Sequence, residues 1–506
     1  MMRNGQVWQW LVLIFLVFLW LAGGTTHPAP VVGLAVVFGA LAVLALSVWR
    51  LLARPGAVPR LVKQGFLLMA LVTLVIAAQL LPLPPELWTR LPGRTTVVEA
   101  FAAAGLPLPW QPISLSPPAT RAALLALLPG FAMFAAGAGL SHRRWPAVTR
   151  AIVALAVAAT LLGLAQRFQG KTSVLYFYPD SASGLAQGTF SNRNFLAEQL
   201  FIAIPFLFAL VFGELHKRRM PVVVAGAGLV GLFVVMVGLA LSGSRAGIIF
   251  AMLALFLSLF LLVNRGADDT APNVRRFILI AVFFAALVVV QFGMIGLLRL
   301  AQTDVVSDYR TVIGAVSWSA MKTYFPWGSG YGTFIPVYAL HEPPATMVSS
   351  YVNAAHNDYL QLLLEGGAVT VVVLALFMVW VAVGAWHLWR QAGSDAQTLV
   401  GRAASLALVL FLLHALMDFG LRMPFLMGLF GLCLGLVAAG PKLHSRHHAR
   451  AARSPAGAPA AAARPEIAPA RPPRQGPFFK TAAPPPGPGA ASEAPARRNP
   501  AEEGPA

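Results

Sequence analysis

The chain has 506 residues, of which 58% are hydrophobic and only 11% are charged. The apolar residues come in long blocks rather than at amphipathic spacing, which is typical of an integral membrane protein and excludes an ordinary soluble domain. The formal charge of +19 comes from basic residues in short loops and in the C-terminal tail, so it indicates membrane topology rather than nucleic-acid binding.

About twelve stretches are long and apolar enough to cross a bilayer, since a helical span needs about 17 to 25 such residues. We therefore predict an all-α, polytopic membrane domain over residues 1–440, with the first apolar stretch kept as a span rather than cleaved as a signal peptide. The predicted spans are 7–22, 31–52, 61–81, 121–140, 147–166, 195–213, 221–241, 246–263, 277–298, 367–388, 403–419 and 424–440.

Basic residues in alternate loops predict which side of the membrane each loop occupies. Cytoplasmic loops accumulate lysine and arginine, and here the basic loops contain Arg50, Arg54, Arg60 and Lys63, then Arg143 and Arg144, then Lys217, Arg218 and Arg219, then Arg265, Arg275 and Arg276, then Arg390 and Arg402. Both termini are thus predicted to be cytoplasmic. The largest outer loop, 299–366, lies between the ninth and tenth spans.

The C-terminal segment 441–506 consists mainly of Ala, Pro, Arg and Gly, with almost no aliphatic side chains. Such a segment cannot bury enough apolar surface to fold, so we predict a disordered cytoplasmic tail. Its arginines are suited to anionic lipid head groups. A solvated tail without a specific function is the simpler interpretation.

Two predicted spans begin on the outer side with a capping residue and an arginine. Ser242 or Ser244 can cap the eighth span, with Arg245 in its first turn, and Ser191 or Asn192 can cap the sixth, with Arg193 in its first turn. A helix N-terminus attracts anions, and a guanidinium adds a bidentate phosphate ligand. The alternative for each arginine is a side chain that extends to lipid head groups.

The outer loop 299–366 begins with an amphipathic pattern that predicts a helix on the membrane surface, with Arg310 near its start. Pro326 should end this helix. Three glycines then follow at alternate positions, but no strand precedes them as a nucleotide-binding fingerprint requires. We expect these glycines, Gly328, Gly330 and Gly332, to let the backbone turn back over the membrane.

The sequence around His356 predicts a short outer helix, with His356 at its start. Asn357 or Asp358 can cap that helix, and Gly366 with Gly367 should interrupt it before the tenth span. A helix N-terminus favours the neutral imidazole, which can accept a proton. Taken alone, a loop histidine is more often an ordinary polar residue.

The eleventh predicted span contains ionisable side chains, which are costly within a membrane and usually functional. His414 and Asp418 lie four residues apart, so we expect them on one helix face, with Arg422 just outside. The pair is a candidate for proton handling or for supporting a nearby site. A hydrated position at the membrane surface is the alternative for Asp418.

At these residues the sequence resembles the superfamily of O-antigen ligases and Wzy-type polymerases. The similar segments, in the same order and spacing, are 188–194, 244–247, 310–334 and 356–366. The stretch 414–425 also resembles one that precedes the last span in many members. The resemblance covers a core of about residues 186–440, and the first five spans and the tail carry no segment that matches.

The resemblance implies a type C glycosyltransferase fold and an undecaprenyl-pyrophosphate-linked glycan as donor, with no metal, other cofactor or nucleotide sugar. By motif match, His356 would be catalytic and Arg245 and Arg310 would bind the pyrophosphate. Residues with supporting roles around them would be Arg193, Asn357, His414, Asp418 and Arg422. The sequence agrees with metal independence: Cys433 is its one cysteine, and the adjacent Asp268 and Asp269 lie in a predicted cytoplasmic loop.

Three classes of function are compatible with a polytopic chain of this kind. In glycan transfer at the periplasmic face of the inner membrane, the acceptor is a lipid A core, a growing polysaccharide or a protein, and the motifs do not separate ligase from polymerase. A transporter of a small anion or sugar should show polar or helix-breaking residues near the middle of several spans. A noncatalytic scaffold leaves the histidine and arginine motifs unexplained.

Overall fold

The computed structural model describes residues 2–53, 58–216, 220–262, 305–347, 351–391 and 395–440, together with positions 280 and 283. Within these residues the regular structure is helical apart from two two-residue strands. The predicted ninth span, 277–298, lies almost wholly outside the described residues, and the predicted tail, 441–506, lies entirely outside them.

The first half of the chain forms α1 to α8 and a small antiparallel pair of strands, in which Pro82 is opposite Pro112. Strand β1 is Pro82–Leu83 and β2 is Gln111–Pro112. The helices are α1 Met2–Ala22, α2 Pro30–Leu52, α3 Arg60–Ala78, α4 Pro85–Trp88, α5 Thr95–Ala103, α6 Pro117–Ala126, α7 Leu128–Gly139 and α8 Trp145–Gln169.

The second half forms α9 to α16. These helices are α9 Arg193–His216, α10 Pro221–Ser242, α11 Arg245–Leu259, α12 Val305–Tyr324, α13 Phe334–His341, α14 Asp358–Trp389, α15 Ala396–His414 and α16 Pro424–Ala439. A single turn of 3₁₀ helix, Gly420–Arg422, connects α15 to α16. Gly367, at φ 61° and ψ −149°, interrupts α14 and so confirms the break predicted at Gly366 and Gly367.

Within the described residues, nine helical segments are long and apolar enough to span a bilayer, and α11 and α16 are shorter apolar helices. The protein is therefore an all-α polytopic membrane protein, as the sequence predicts. Eleven of the twelve predicted spans overlap helices, and several of their bounds differ from the prediction. Helix α14 begins at Asp358 rather than near 367, and α15 ends at His414 rather than at 419.

Helix α9 lies at the centre of the bundle, where almost all of its residues are buried against α8, α10, α11 and α15. Helices α7 and α16 also pack closely, because Gly431 of α16 lies directly against the backbone of Gly130. Without a hydrophobic driving force between helices in lipid, such close backbone approach supplies the packing energy.

Helix α9 begins and α15 ends at the same end of the bundle, the site end. Helix α1 ends there, since the Phe425 amide donates to the Gly23 carbonyl at 3.1 Å and the Ser191 amide donates to the Gly24 carbonyl at 3.0 Å. Helix α14 begins there, since the Asp358 amide donates to the Ala415 carbonyl at 2.8 Å. The N-terminal spans, which match no family segment, are thus bonded directly to the core.

The glycine-rich turn 328–332 is held between α14 and the segment that joins α3 to α6. The Gly330 amide donates to the Glu365 carbonyl at 2.9 Å, and the Tyr331 amide donates to Gln79 Oε1 at 2.9 Å. Gly328, Gly330 and Gly332 all have positive φ, which glycine adopts without strain. These glycines serve close backbone contact with the α14 kink as well as the predicted change of chain direction.

Candidate active site

Three of the predicted helix caps place site residues at the starts of helices. Asn192 Oδ1 accepts a hydrogen bond from the Asn194 amide at 2.9 Å, so Asn192 rather than Ser191 caps α9. Ser244 Oγ accepts from the Gly247 amide at 3.1 Å and caps α11. Asn357 Oδ1 accepts from the Leu360 amide at 3.1 Å and caps α14. Each cap fixes where a helix begins, and hence where its first charged side chain lies.

His356 lies just before α14, in a backbone conformation that is uncommon for a residue with a side chain. Its φ is 50°, in the left-handed region, which costs about 1 to 3 kcal/mol outside glycine and concentrates at functional sites. The imidazole packs edge-on against the Phe419 ring, with centroids 5.0 Å apart. The backbone conformation and the contact with the Phe419 ring therefore together fix the orientation of the imidazole.

The His356 imidazole bonds to a buried carboxylate. Its Nδ1 lies 3.1 Å from Asp418 Oδ1, and the Asp418 side chain is 1% exposed whereas that of His356 is 19% exposed. An ionised carboxylate only accepts hydrogen bonds, so Nδ1 carries the proton in this pair. The Nε2 atom is then the basic nitrogen of the ring.

Asp418 receives hydrogen bonds from four directions. Besides His356, Asn194 Nδ2 donates to Oδ2 at 2.8 Å, Arg310 Nη2 donates to Oδ2 at 3.4 Å, and the Phe419 amide donates to Oδ1 at 3.0 Å. Burial alone would raise the pKa of this carboxyl. The His356 hydrogen bond and charge, together with the charges of His414 and Arg310, outweigh burial and lower its pKa to about 2. The carboxylate is thus ionised throughout the neutral range.

Arg310 connects helix α12 to the turn after α15. In addition to its ion pair with Asp418, its Nη1 donates to the Met417 carbonyl at 3.4 Å, and 36% of its side chain stays exposed. A guanidinium has five N–H donors, so donors remain for an anion beside His356.

The starts of α9 and α11 lie next to each other at the site end. A methyl group built on Gly247 would overlap the Ala197 side chain, and one built on Gly243 would lie 3.7 Å from Arg193 Nη1. Arg193 therefore lies against the turn that precedes α11, and the exposed Arg245 is the first residue of α11. Both arginines are at the same end of the bundle as His356, and Asn194, the neighbour of Arg193, donates to Asp418.

Arg422 lies beside the first residue of α14. Its Nε donates to Asp358 Oδ1 at 2.8 Å, and Tyr359 Oη donates to the Leu412 carbonyl at 2.8 Å. Together with the cap at Asn357, these bonds fix the start of α14, and thereby the position of His356, against the end of α15.

Asp418 lies in the turn after α15 and not within the helix, where the sequence placed it together with His414. Helix α15 ends at His414, and its backbone carbonyl accepts from the Asp418 amide at 3.0 Å as the chain turns away. The two side chains consequently have different partners. His414 Nδ1 lies 3.1 Å from Glu198 Oε2, deep in the bundle, whereas Asp418 faces His356 and Arg310.

Sequence reasoning missed Asn194 and Glu198 as parts of this arrangement. Glu198 is an ionisable residue inside a predicted span, and that alone is a signal of function. Asn194 lies one helical turn before it, on the same face of α9. Asn194 pairs with Asp418 and Glu198 pairs with His414, and the two residues on each side are four positions apart.

A cavity of about 750 Å³ opens beside the site, between α3, α6, α7, α14 and α16. Most of its lining is apolar, and its polar side chains include Asp358, Gln361, Glu365 and Arg422. Phe419 belongs to the lining and also contacts the His356 ring. The cavity thus offers room for an apolar chain that ends close to the catalytic candidates.

Residues 229–375 match a family model described as O-antigen ligase. This match supports the similarity of the chain to the superfamily of O-antigen ligases and Wzy-type polymerases. No curated protein matches the chain significantly.

The matched O-antigen ligase segment runs from α10 to the middle of α14, so it contains Arg245, Arg310, His356 and Asn357. Arg193, His414, Asp418 and Arg422 lie outside it. Members of the family are glycosyltransferase-like enzymes, and the match supports an O-antigen ligase or polymerase type of function in general.

Proposed function

We propose that this O-antigen ligase homologue transfers a glycan from undecaprenyl pyrophosphate to an acceptor hydroxyl at the periplasmic face of the inner membrane. The observation that carries the proposal is the hydrogen bond from His356 Nδ1 to an ionised, buried Asp418. This bond leaves Nε2 as a base toward the acceptor. The family assignment favours glycan transfer over the transporter and scaffold alternatives.

The proposed reaction needs one proton acceptor and one group that stabilises the leaving pyrophosphate. His356 removes the proton of the acceptor hydroxyl as its oxygen attacks the anomeric carbon, and Asp418 stabilises the imidazolium that forms. The glycosidic bond to the pyrophosphate breaks, and Arg310 and Arg245 bind the negative charge that leaves with it. These groups provide positioned acid–base and electrostatic catalysis without a metal.

The direct test is transfer by the purified protein in nanodiscs, from a lipid-pyrophosphate-linked glycan to a panel of acceptors. The panel contains a lipid A core, a second lipid-linked glycan and an unfolded acceptor protein, so the product separates ligase, polymerase and protein transfer. Sealed vesicles of each orientation then show which face is active. Absence of transfer to every acceptor, with the donor intact, would contradict the proposal.

Lysine substitutions test the two arginines proposed to bind pyrophosphate. A lysine keeps the charge but loses the planar fork that binds two phosphate oxygens. Arg245→Lys and Arg310→Lys should therefore each lower kcat/KM for the donor by about 10- to 100-fold. Arg90→Lys, in the exposed loop after α4, is the matched control and should keep full activity. Wild-type kcat/KM in both site variants would rule out direct phosphate binding.

The cavity is proposed to hold the apolar chain of a lipid-linked substrate. Ala126 of α6 lines it, whereas the neighbouring Leu125 does not and is 47% exposed. Ala126→Trp should obstruct the cavity and lower kcat/KM on the order of tenfold for a long-chain donor or acceptor, and less for a short-chain analogue. Changing the chain length of one substrate at a time identifies which of them enters.

Leu125→Trp adds the same side chain on the same helix but outside the cavity, so it should leave transfer unchanged. Equal activity of Ala126→Trp and wild type with every chain length would show that no substrate chain occupies the cavity. Equal losses in the two tryptophan variants would assign the effect to the helix surface instead.

A further inference from the structure

Glu198 and His414 form a buried pair beneath the site. Glu198 Oε2 lies 3.1 Å from His414 Nδ1, and each side chain is 1% exposed. The imidazole is enclosed edge-on by Phe201 of α9 and Phe250 of α11, with ring centroids 5.3 Å and 5.0 Å away. Well-packed apolar residues of similar size are often at least as stable as a buried ionisable pair, so stability alone gives a weak reason for this one.

The buried pair continues the contacts of the site into the bundle. Asn194 and Glu198 are one turn apart on α9, and their partners Asp418 and His414 are four residues apart in the opposite direction. The Asn194–Asp418 and Glu198–His414 contacts are therefore successive links between the same two chain segments. The inner link lies at the last residue of α15, and the outer link holds the carboxylate that bonds to His356.

Glu198 also supports the turn that follows Asp418. Its carboxylate lies against Gly420, where any side-chain methyl group would overlap it. The 3₁₀ turn that begins at Gly420 ends at Arg422, which bonds to Asp358 at the start of α14. Movement of Glu198 would thus change both neighbours of His356: the turn that contains Asp418 and the helix start beside it.

We propose that Glu198 and His414 are positioning residues for the transfer reaction, which act by holding Asp418 at hydrogen-bond distance from His356. This inference rests on the proposed function and extends it from the residues that would touch substrate to a buried layer on α9 and α15. The pair itself does not reach the substrate, because both side chains are enclosed in the bundle.

The decisive variant replaces the buried pair with apolar residues, as Glu198→Met combined with His414→Leu. This variant should fold with a melting temperature at or above that of the wild type, because no charge is left unpaired. Its kcat should nevertheless fall at least tenfold, with KM for the donor changed by less than about threefold. Wild-type kcat in the folded double variant would overturn the proposal. Gln199→Leu, at a buried neighbour of Glu198, is the control that should keep its activity.

A double-mutant cycle checks that the effect passes through Asp418. Glu198→Gln should lower kcat about tenfold in the wild type and less than twofold in a background of Asp418→Asn, since residues that act as one unit are not additive. Equal losses in both backgrounds would show an independent, structural effect and overturn the proposal. If the wild type transfers no glycan, the proposed function fails first and this inference fails with it. Wild-type transfer with unaffected pair variants refutes the inference alone.

Discussion

His356→Ala is expected to lower kcat by about 100- to 10,000-fold, because positioned general base catalysis is worth that much in rate. The substitution removes the nitrogen proposed to accept the hydroxyl proton, while the remaining contacts of Asp418 with Arg310 and Asn194 stay in place. Folding and membrane insertion should therefore be retained. Initial rates at saturating donor and acceptor measure the effect, since they separate turnover from binding.

The control for this variant is His341→Ala. His341 lies at the end of α13, outside the site, and its Nδ1 donates to the Val337 carbonyl of its own helix at 2.9 Å. The control variant should transfer at the wild-type rate. If His356 only binds substrate, His356→Ala will raise KM and keep kcat, which would refute the role as base.

Asp418→Asn is expected to lower kcat by about 100- to 10,000-fold while it preserves the size and shape of the side chain. An amide can donate to His356 Nδ1, which stabilises the tautomer with its proton on Nε2 and so removes the base. It also removes the negative charge that stabilises the imidazolium and pairs with Arg310. Asp180→Asn, at an exposed carboxylate, is the control and should be fully active.

The stability of Asp418→Asn should show a defined dependence on pH. The folded-state pKa of Asp418, about 2, lies below the value of about 3.9 for an unperturbed aspartate. The ionised form therefore stabilises the fold by about 2 to 3 kcal/mol above pH 4, and that contribution is lost as the pH falls through about 2. The melting temperatures of wild type and variant should differ most at pH 6, and the difference should shrink below pH 4 and vanish only as the pH falls through about 2. A constant difference across this range would contradict the ionisation of Asp418.

The sequence by itself determined the membrane architecture and the local geometry of the motifs. Long apolar blocks need little context to become spans, because an unpaired backbone in lipid is costly and a helix satisfies its own hydrogen bonds. Capping is also local, so Ser244 and Asn357 could be named from a few neighbouring residues. The glycine break in α14 follows in the same way from the conformational freedom of one residue.

The contacts that turn these motifs into a site depended on tertiary structure. His356 and Asp418 are 62 residues apart, and Asn194 and Asp418 are 224 apart, so no local pattern pairs them. The end of α15 at His414, where the sequence favoured five more helical residues, leaves Asp418 in the following turn with partners different from those of His414. In apolar spans many residues can face many neighbours at similar cost, and only the packing of α9, α11 and α15 decides which polar side chains meet.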